Sequence, residues 1–449
     1  MKHLFSRLSP AQKIILSFLL VIFCGSLLLS LPWVQTESSQ AGYLDHLFTA
    51  VSMVCVTGLF TRSVVDTYNV WGQLLCMLLI QIGGLGILTF IGFFTMESRK
   101  KLSLKDRRIL RDSFSYGHNR TLGQFVRSIF ITTFTIEGLG ALLLMIRFIP
   151  KFGLRKGIFN SIFLAVSAFC NAGFDNFGND SLLGLQTDVL VNITLALLII
   201  TGGLGFMVWF DLATKLGGKQ KGLHFHTKVV LLLTAGLLVI GTVASLWTEY
   251  NNPGTIGNLS FGDKLLVSFF QTVSMRTAGF ASIDYTAARP VTLFIYLLQM
   301  FLGGAPGGTA GGLKITTFLV LLLFARKEIL GLHHTNIGRR TLAPQLVQKA
   351  FGVTVIFQLT FLLGLLALGL VTDSSHRFIY LIFETVSALA TVGVTANITT
   401  SLNTAGMIVI MLLMFIGRVG PLTLMVSLNH YQPKKAATLH YSKADIMIG

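Results

Sequence analysis

Four copies of one short stretch hold the residues whose types and spacing could do chemistry. They occupy residues 48–58, 163–173, 270–279 and 383–393. Each opens Phe-x-Ala/Thr-Val-Ser and reaches a glycine five or six residues after the serine. The opening phenylalanines are 115, 107 and 113 residues apart, so one period runs through the chain. No carboxylate, histidine or cysteine cluster with metal-ligand spacing accompanies these glycines. What the four stretches share is main chain. Four loops meeting on one axis would present carbonyl oxygens that replace the water around a cation. Gly58, Gly173, Gly279 and Gly393 would allow that, because glycine takes backbone angles that aim a carbonyl inward and lets loops approach closely.

Such loops need a frame, and the composition says what kind. Hydrophobic residues make 53% of the 449 residues and charged residues 12%, with a mean hydropathy of +0.72. A soluble domain carries roughly twice that charged fraction. The reading is an all-α polytopic membrane protein. Eight stretches reach the length of about 20 apolar residues that a crossing helix needs: 14–32, 71–95, 125–146, 187–212, 229–247, 290–325, 346–370 and 404–428. One copy of the repeated stretch lies between the members of each pair. Its apolar part is too short to cross, so each unit reads as helix, re-entrant pore helix, loop, helix. The predicted organisation is repeat 1 over 1–98, a basic cytoplasmic linker over 99–120, and repeat 2 over 121–218. Repeat 3 follows over 219–340, repeat 4 over 341–430 and a cytoplasmic tail over 431–449. Basic residues before the long first apolar run predict an uncleaved span.

The net charge of +17 sits in short loops, which argues topology and against nucleic acid. Loop Lys and Arg number 24 on one side and 9 on the other, which places both termini in the cytoplasm and brings all four pore helices in from outside. The carbonyl ends of those helices, carrying partial negative charge, would then point at the cation site.

The second helices repeat too, with Gly83-Gly84, Gly202-Gly203, Gly303-Gly304 and Gly417-Arg418 at matching places. For the first two copies these glycines read as close helix packing. The third differs. Residues 303–312 hold six glycines and one proline, and at about 1 kcal/mol per glycine and about 3 for proline an intact helix is strongly disfavoured. An unwound gate loop of Gly303, Gly304, Ala305, Pro306, Gly307, Gly308, Thr309, Ala310, Gly311 and Gly312 is expected to obstruct the pore. Lys314 and Arg418 are charges at membrane depth, where they need water or a partner; Arg418 is expected to face the cavity, repel cations and pair with the gate loop. Glu384 and Arg276 are candidates for a pair behind the loops, and Asp175 for outer-mouth charge. Glu137 and Asp211 suggest no role beyond a buried hydrogen bond or interface placement. His224, His226, His333 and His334 read as solvated loop residues.

Val56-Thr57-Gly58-Leu59, Asn171-Ala172-Gly173-Phe174, Thr277-Ala278-Gly279-Phe280 and Thr391-Val392-Gly393-Val394, with the 303–314 stretch and Arg418, resemble the membrane (KtrB-type) subunit of the Trk/Ktr/HKT superfamily of potassium transporters over nearly the whole chain. The resemblance implies a selectivity filter built from Val56, Thr57, Gly58, Asn171, Ala172, Gly173, Thr277, Ala278, Gly279, Thr391, Val392 and Gly393. It implies K+ as the transported ion, because position 58 is glycine and not serine, with Na+ as a possible coupling ion. One glycine per loop implies fewer sites and looser rejection of sodium than in potassium channels. It also implies a bacterial cell-membrane homodimer, surrounded by lipid, docked on a cytosolic nucleotide-binding regulatory ring (KtrA- or KtrC-like). The chain carries no Gly-x-Gly-x-x-Gly unit and suggests no organic cofactor. Leu102, Leu104, Ile109 and Leu110, interleaved with basic residues, would serve such docking. The alternative is a sodium or other cation secondary transporter with alternating access, whose repeats are often inverted; here all units run one way. An intramembrane enzyme would need a catalytic constellation within the spans, and none is evident.

Overall fold

The computed structural model describes residues 10–86, 122–178, 181–218, 220, 222–372 and 377–420. The basic linker 99–120 and the tail 431–449 lie outside the described residues. Helices dominate. Repeat 1 contributes α1 (Pro10–Leu29), α2 (Tyr43–Val54) and α3 (Val70–Leu85); repeat 2 contributes α4 (Leu122–Phe152), α5 (Leu154–Cys170), α6 (Val189–Gly203) and α7 (Phe206–Leu216). Repeat 3 contributes α8 (Phe225–Glu249), α9 (Phe261–Ser274), α10 (Pro290–Phe301) and α11 (Ile315–Ile329). A small hairpin of β1 (Asn336–Ile337) and β2 (Arg340–Thr341) leads to repeat 4, with α12 (Pro344–Val371), α13 (Phe378–Leu389) and α14 (Thr404–Val419).

Three of the four second helices start at one kind of cap. Asn69, Asp188 and Asn403 accept hydrogen bonds from the first backbone N–H groups of α3, α6 and α14, and Pro290 opens α10, where a missing N–H costs nothing. These helices then do two jobs. Each packs on its own repeat or its approach, and each packs on the short helix of the next: α3 on α5, α6 on α9, α10 on α13 and α14 on α2. The last contact joins the fourth unit to the first and closes a ring of four.

One of the eight expected crossings, 187–212, is broken. The first helices α1, α4, α8 and α12 each contain a stretch long and apolar enough to cross a membrane. Among the described residues the second helices are shorter, and the continuations expected over 87–95 and 421–428 lie outside the described residues. α3 ends at Gly86 with φ of 82°, α6 at Leu204 before Gly205 with φ of 88°, and α14 at Gly420 with φ of 89°. At 1.5 Å per residue the 16 residues of α3 or α14 rise only about 24 Å. Residues 187–212, read from sequence as one crossing helix, are instead α6 and α7, bent by 98° at the break. Close packing does hold at the first glycine of the pair: a Cβ on Gly83 would collide with Val54 O, one on Gly202 with Phe169 O, and one on Gly417 with Leu389 O. The same short motif therefore packs and terminates.

A candidate cation filter and the loop beneath it

Each short helix runs into its loop through one turn geometry. The residue two before the loop glycine is left-handed in all four: Val56 at φ 56°, Asn171 at 58°, Thr277 at 72° and Thr391 at 51°. For the three β-branched residues this is a sparsely populated conformation that costs about 1–3 kcal/mol each. Gly58, Gly173, Gly279 and Gly393 follow at φ 105°, 70°, 83° and 96°. The N–H between them turns back to its helix: Thr57 N to Ser52 O, Ala172 N to Ser167 O and Val392 N to Ser387 O at 2.8 Å, Ala278 N to Ser274 O at 2.9 Å. The carbonyls of these four residues point elsewhere, and the glycines show where.

A Cβ on Gly58 would lie 2.8 Å from Ala172 O, and one on Gly173 2.7 Å from Ala278 O. One on Gly279 would strike Val392 O, and one on Gly393 would strike Thr57 O. Every carbonyl before a glycine thus lies against the glycine of the preceding loop, and the sequence of contacts closes on itself. All twelve loop residues named from sequence are buried. Four polar groups here, Thr57 Oγ1, Asn171 Nδ2, Thr277 Oγ1 and Thr391 Oγ1, have no partner in the described protein. Three of them belong to the left-handed position.

The repeated serine acquires a part that the motif alone did not reveal. Its hydroxyl accepts from Gly58 N at 3.2 Å (Ser52), from Phe174 N at 2.9 Å (Ser167) and from Gly393 N at 3.1 Å (Ser387), while Ser274 Oγ donates to Phe280 O at 2.6 Å. Each serine pins its own loop. Ser387→Ala leaves the Gly393 N–H buried and unpaired at about 1–3 kcal/mol. The expected result is about a tenfold rise in the cation concentration for half-maximal uptake; an unchanged value in tracer uptake would remove the pinning role.

In the third and fourth copies the residue after the opening phenylalanine clamps the chain that climbs away from the glycine. Gln271 donates to Ser282 Oγ and accepts from Tyr285 OH, both at 2.7 Å. Glu384 occupies the same repeat position and accepts from Thr395 Oγ1 at 2.6 Å and from Thr399 Oγ1. This corrects the expected Glu384–Arg276 pair. Glu384 is satisfied by two hydroxyls of its own repeat, and Arg276 Nε has no partner among the described residues. Glu137 accepts from Gln81 Nε2 at 3.1 Å, which joins α4 to α3. Asp211 accepts from His224 N at 2.8 Å and from the His224 ring and Gln220, so His224 is tethered although its side chain is largely exposed. Asp175 is buried, accepting from Phe177 N at 3.0 Å and Ser181 Oγ at 2.6 Å. Glu249, unremarked in the sequence, accepts from Thr255 Oγ1 at 2.6 Å and Arg289 N at 2.9 Å and ties α8 to the start of α10.

Residues 302–314 are not helical. Gly303 N donates to Leu313 O at 2.9 Å and Leu313 N to Phe301 O at 3.2 Å, which closes the segment into a loop. That loop hangs on the break in repeat 2: Ala305 N donates to Gly203 O at 2.9 Å, Thr309 N to Gly202 O at 3.2 Å, and Phe206 N to Gly307 O at 3.0 Å. Its far side touches the four-loop ring. Thr309 Oγ1 lies 3.1 Å from Phe169 O and 3.3 Å from Asn171 Oδ1, and a Cβ on Gly311 would collide with Thr391 Oγ1. Pro306, Gly307, Gly308 and Gly312 are the partly accessible residues of 303–312. Arg418 donates to Thr309 O, to Gly83 O, and to Gly84 O at 3.2 Å. Lys314 Nζ donates to Ala310 O at 2.7 Å. One guanidinium therefore joins the loop, the end of α3 and α14. Among the described residues, no group of three or more His, Cys, Asp and Glu side chains could hold a metal ion.

A family model described as a cation transport protein, TrkH, matches residues 7–438. The chain is 38% identical over 446 residues to the Ktr system potassium uptake protein B of Bacillus subtilis, covering 99% of this chain and 97% of that protein. It is 39% identical over 453 residues to the potassium/sodium uptake protein NtpJ of Enterococcus hirae, covering 100% and 99%. The crystal structure of the potassium transporter TrkH from Vibrio parahaemolyticus superposes with a TM-score of 0.73 at 17% identity, covering 93% of this chain and 84% of that one. With a family model spanning nearly every residue and full-length relatives at this identity, the chain belongs to the TrkH family of cation transport proteins.

Proposed function

We propose that the chain is the membrane subunit of a potassium-uptake system, conducting K+ through a filter of four loops and gated by residues 303–312. The observation that carries this reading is the closed ring in which the carbonyls of Thr57, Ala172, Ala278 and Val392 each lie against the glycine of the preceding loop. Such a ring replaces an ion's hydration with main-chain oxygen. The unpartnered hydroxyls of Thr57, Thr277 and Thr391 supply further oxygens. Sodium dependence is part of the proposal, and the printed name of the Enterococcus hirae relative supports it. Growth of a potassium-uptake-deficient bacterium at low potassium, with and without sodium, tests it. Growth restored only when sodium is present is the expected result; no restoration by well-expressed protein overturns the reading.

The further parts of the proposal follow the same architecture. Both termini are cytoplasmic, the protein forms a homodimer in the bacterial cell membrane, and a separate cytosolic nucleotide-binding ring docks on the basic linker. Naming of similar proteins as components of a Ktr system supports a multi-subunit assembly.

Arg418 holds the gate loop in place in this reading. Its hydrogen bonds are charge-assisted and worth about 1.5–3 kcal/mol each, so losing one shifts the closed-to-open balance by about tenfold or more. Arg418→Ala is expected to speed potassium flux by about that factor, read as the initial rate of 86Rb+ uptake into vesicles. A slower or unaltered rate would end the latch role.

A further inference from the structure

Arg276 is a buried loop-flanking charge that the filter and gate leave unexplained. It lies three residues before Gly279, is buried to 8% exposure, and has neither a hydrogen-bond partner at Nε nor a carboxylate partner among the described residues. A guanidinium in a low-dielectric interior is costly without a counter-charge. Gln299, on α10, shows the same deficit at both Nε2 and Oε1. The two side chains line one cavity of about 260 Å³ whose other walls are apolar, among them Leu237, Ile240 and Ala244 of α8 and Leu298 of α10. Gly241 makes room for the amide: a Cβ there would sit 2.8 Å from Gln299 Nε2. The cavity therefore has a polar floor with three unmatched N–H donors, one at Arg276 Nε and two at Gln299 Nε2, and an unmatched acceptor at Gln299 Oε1, facing a greasy wall.

Its mouth opens on an exposed apolar surface, as a lipid-facing one would be. Ile240 and Val243 of α8 and Phe294 and Leu298 of α10 are exposed apolar side chains on the helices that flank it. Gly241 lies eight residues before the end of α8 at Glu249, about 12 Å along the helix. That depth is inside a hydrocarbon layer about 30 Å thick, out of reach of a phosphate held at the interface. An anion arriving there must ride on a slim apolar chain. A second small space, lined by Arg276, Asn171, Gly203 and Gly304, has room for about one water at 10 Å³; one water satisfies an N–H but leaves the charge unbalanced.

We propose that this cavity binds a fatty-acid anion, its carboxylate on Arg276 and Gln299 and its chain running out between α8 and α10. The ligand would sit directly behind the third filter loop. The test uses the full chain in nanodiscs and a palmitate probe bearing a photoreactive diazirine. Cross-links are expected in the peptides of α8 and α10 that line the cavity, competed by palmitate and not by hexadecanol or acetate. Arg276→Gln is expected to lower labelling by about tenfold, the loss of a charge-assisted bond. Ala244→Trp closes the mouth without touching the polar floor and is expected to abolish labelling while the protein keeps its size-exclusion profile. Labelling that survives Ala244→Trp, or that hexadecanol competes equally, overturns the proposal. Competition by acetate overturns the lipid source and identifies a small anion reaching Arg276 from the aqueous side. Absence of any label in α8 and α10 leaves the water in the smaller space as the partner and also overturns it.

Discussion

Gly393→Ala is expected to reduce potassium uptake at limiting potassium on the order of a hundredfold. Position 393 has φ of 96°, where an L side chain is strained. Strain alone would be tolerable in a chain that already holds Val56, Thr277 and Thr391 left-handed. The decisive effect is placement. The added methyl would land on Thr57 O and lie 2.8 Å from Gly58 Cα, so the first and fourth loops must separate. Neither neighbour is a flexible side chain that can swing aside, because Thr57 N is fixed to Ser52 O. A carbonyl displaced from the ring no longer matches the ion. The measurement is 86Rb+ uptake against potassium concentration in cells lacking other uptake routes, with surface expression checked. Near wild-type affinity would show that the carbonyl of Thr57 is not a ligand.

Deleting residues 305–310 is expected to raise potassium flux by about tenfold or more, through loss of the bonds that hold the loop under the filter. The deletion removes the groups that bond Gly203 O, Gly202 O, Phe169 O and Arg418, all outside the loop itself. It leaves the Gly303–Leu313 closure, which can still join α10 to α11. Initial uptake rates in proteoliposomes, normalised to protein, read the change. Lower or equal flux in folded protein would mean that the loop supports the pore and does not block it.

Much of this was legible in the sequence, for a physical reason. Glycine has no substitute where backbones meet, so four loop glycines in register announced the ring. The broken segment at 303–312 was legible because six glycines and a proline cannot be hidden in a helix. The break at Gly205 was not: it rests on one left-handed glycine inside a run apolar enough to pass for a crossing. The left-handed Val56, Thr277 and Thr391 were illegible in principle, since β-branched residues disfavour that region and only the packed ring holds them there. The serines were visible as a motif without a partner. Opposite charge suggested pairing Glu384 with Arg276, yet the hydroxyls of Thr395 and Thr399 were nearer.

The contact of α14 with α2 has a consequence for biogenesis. The last described helix of the chain is the one that seats against the first short helix. Until then Thr57 and Gly58 lack the neighbour that Gly393 provides. A nascent chain halted before residue 383 would thus hold three of the four loops, with the ring still open where Gly393 and Val392 close it.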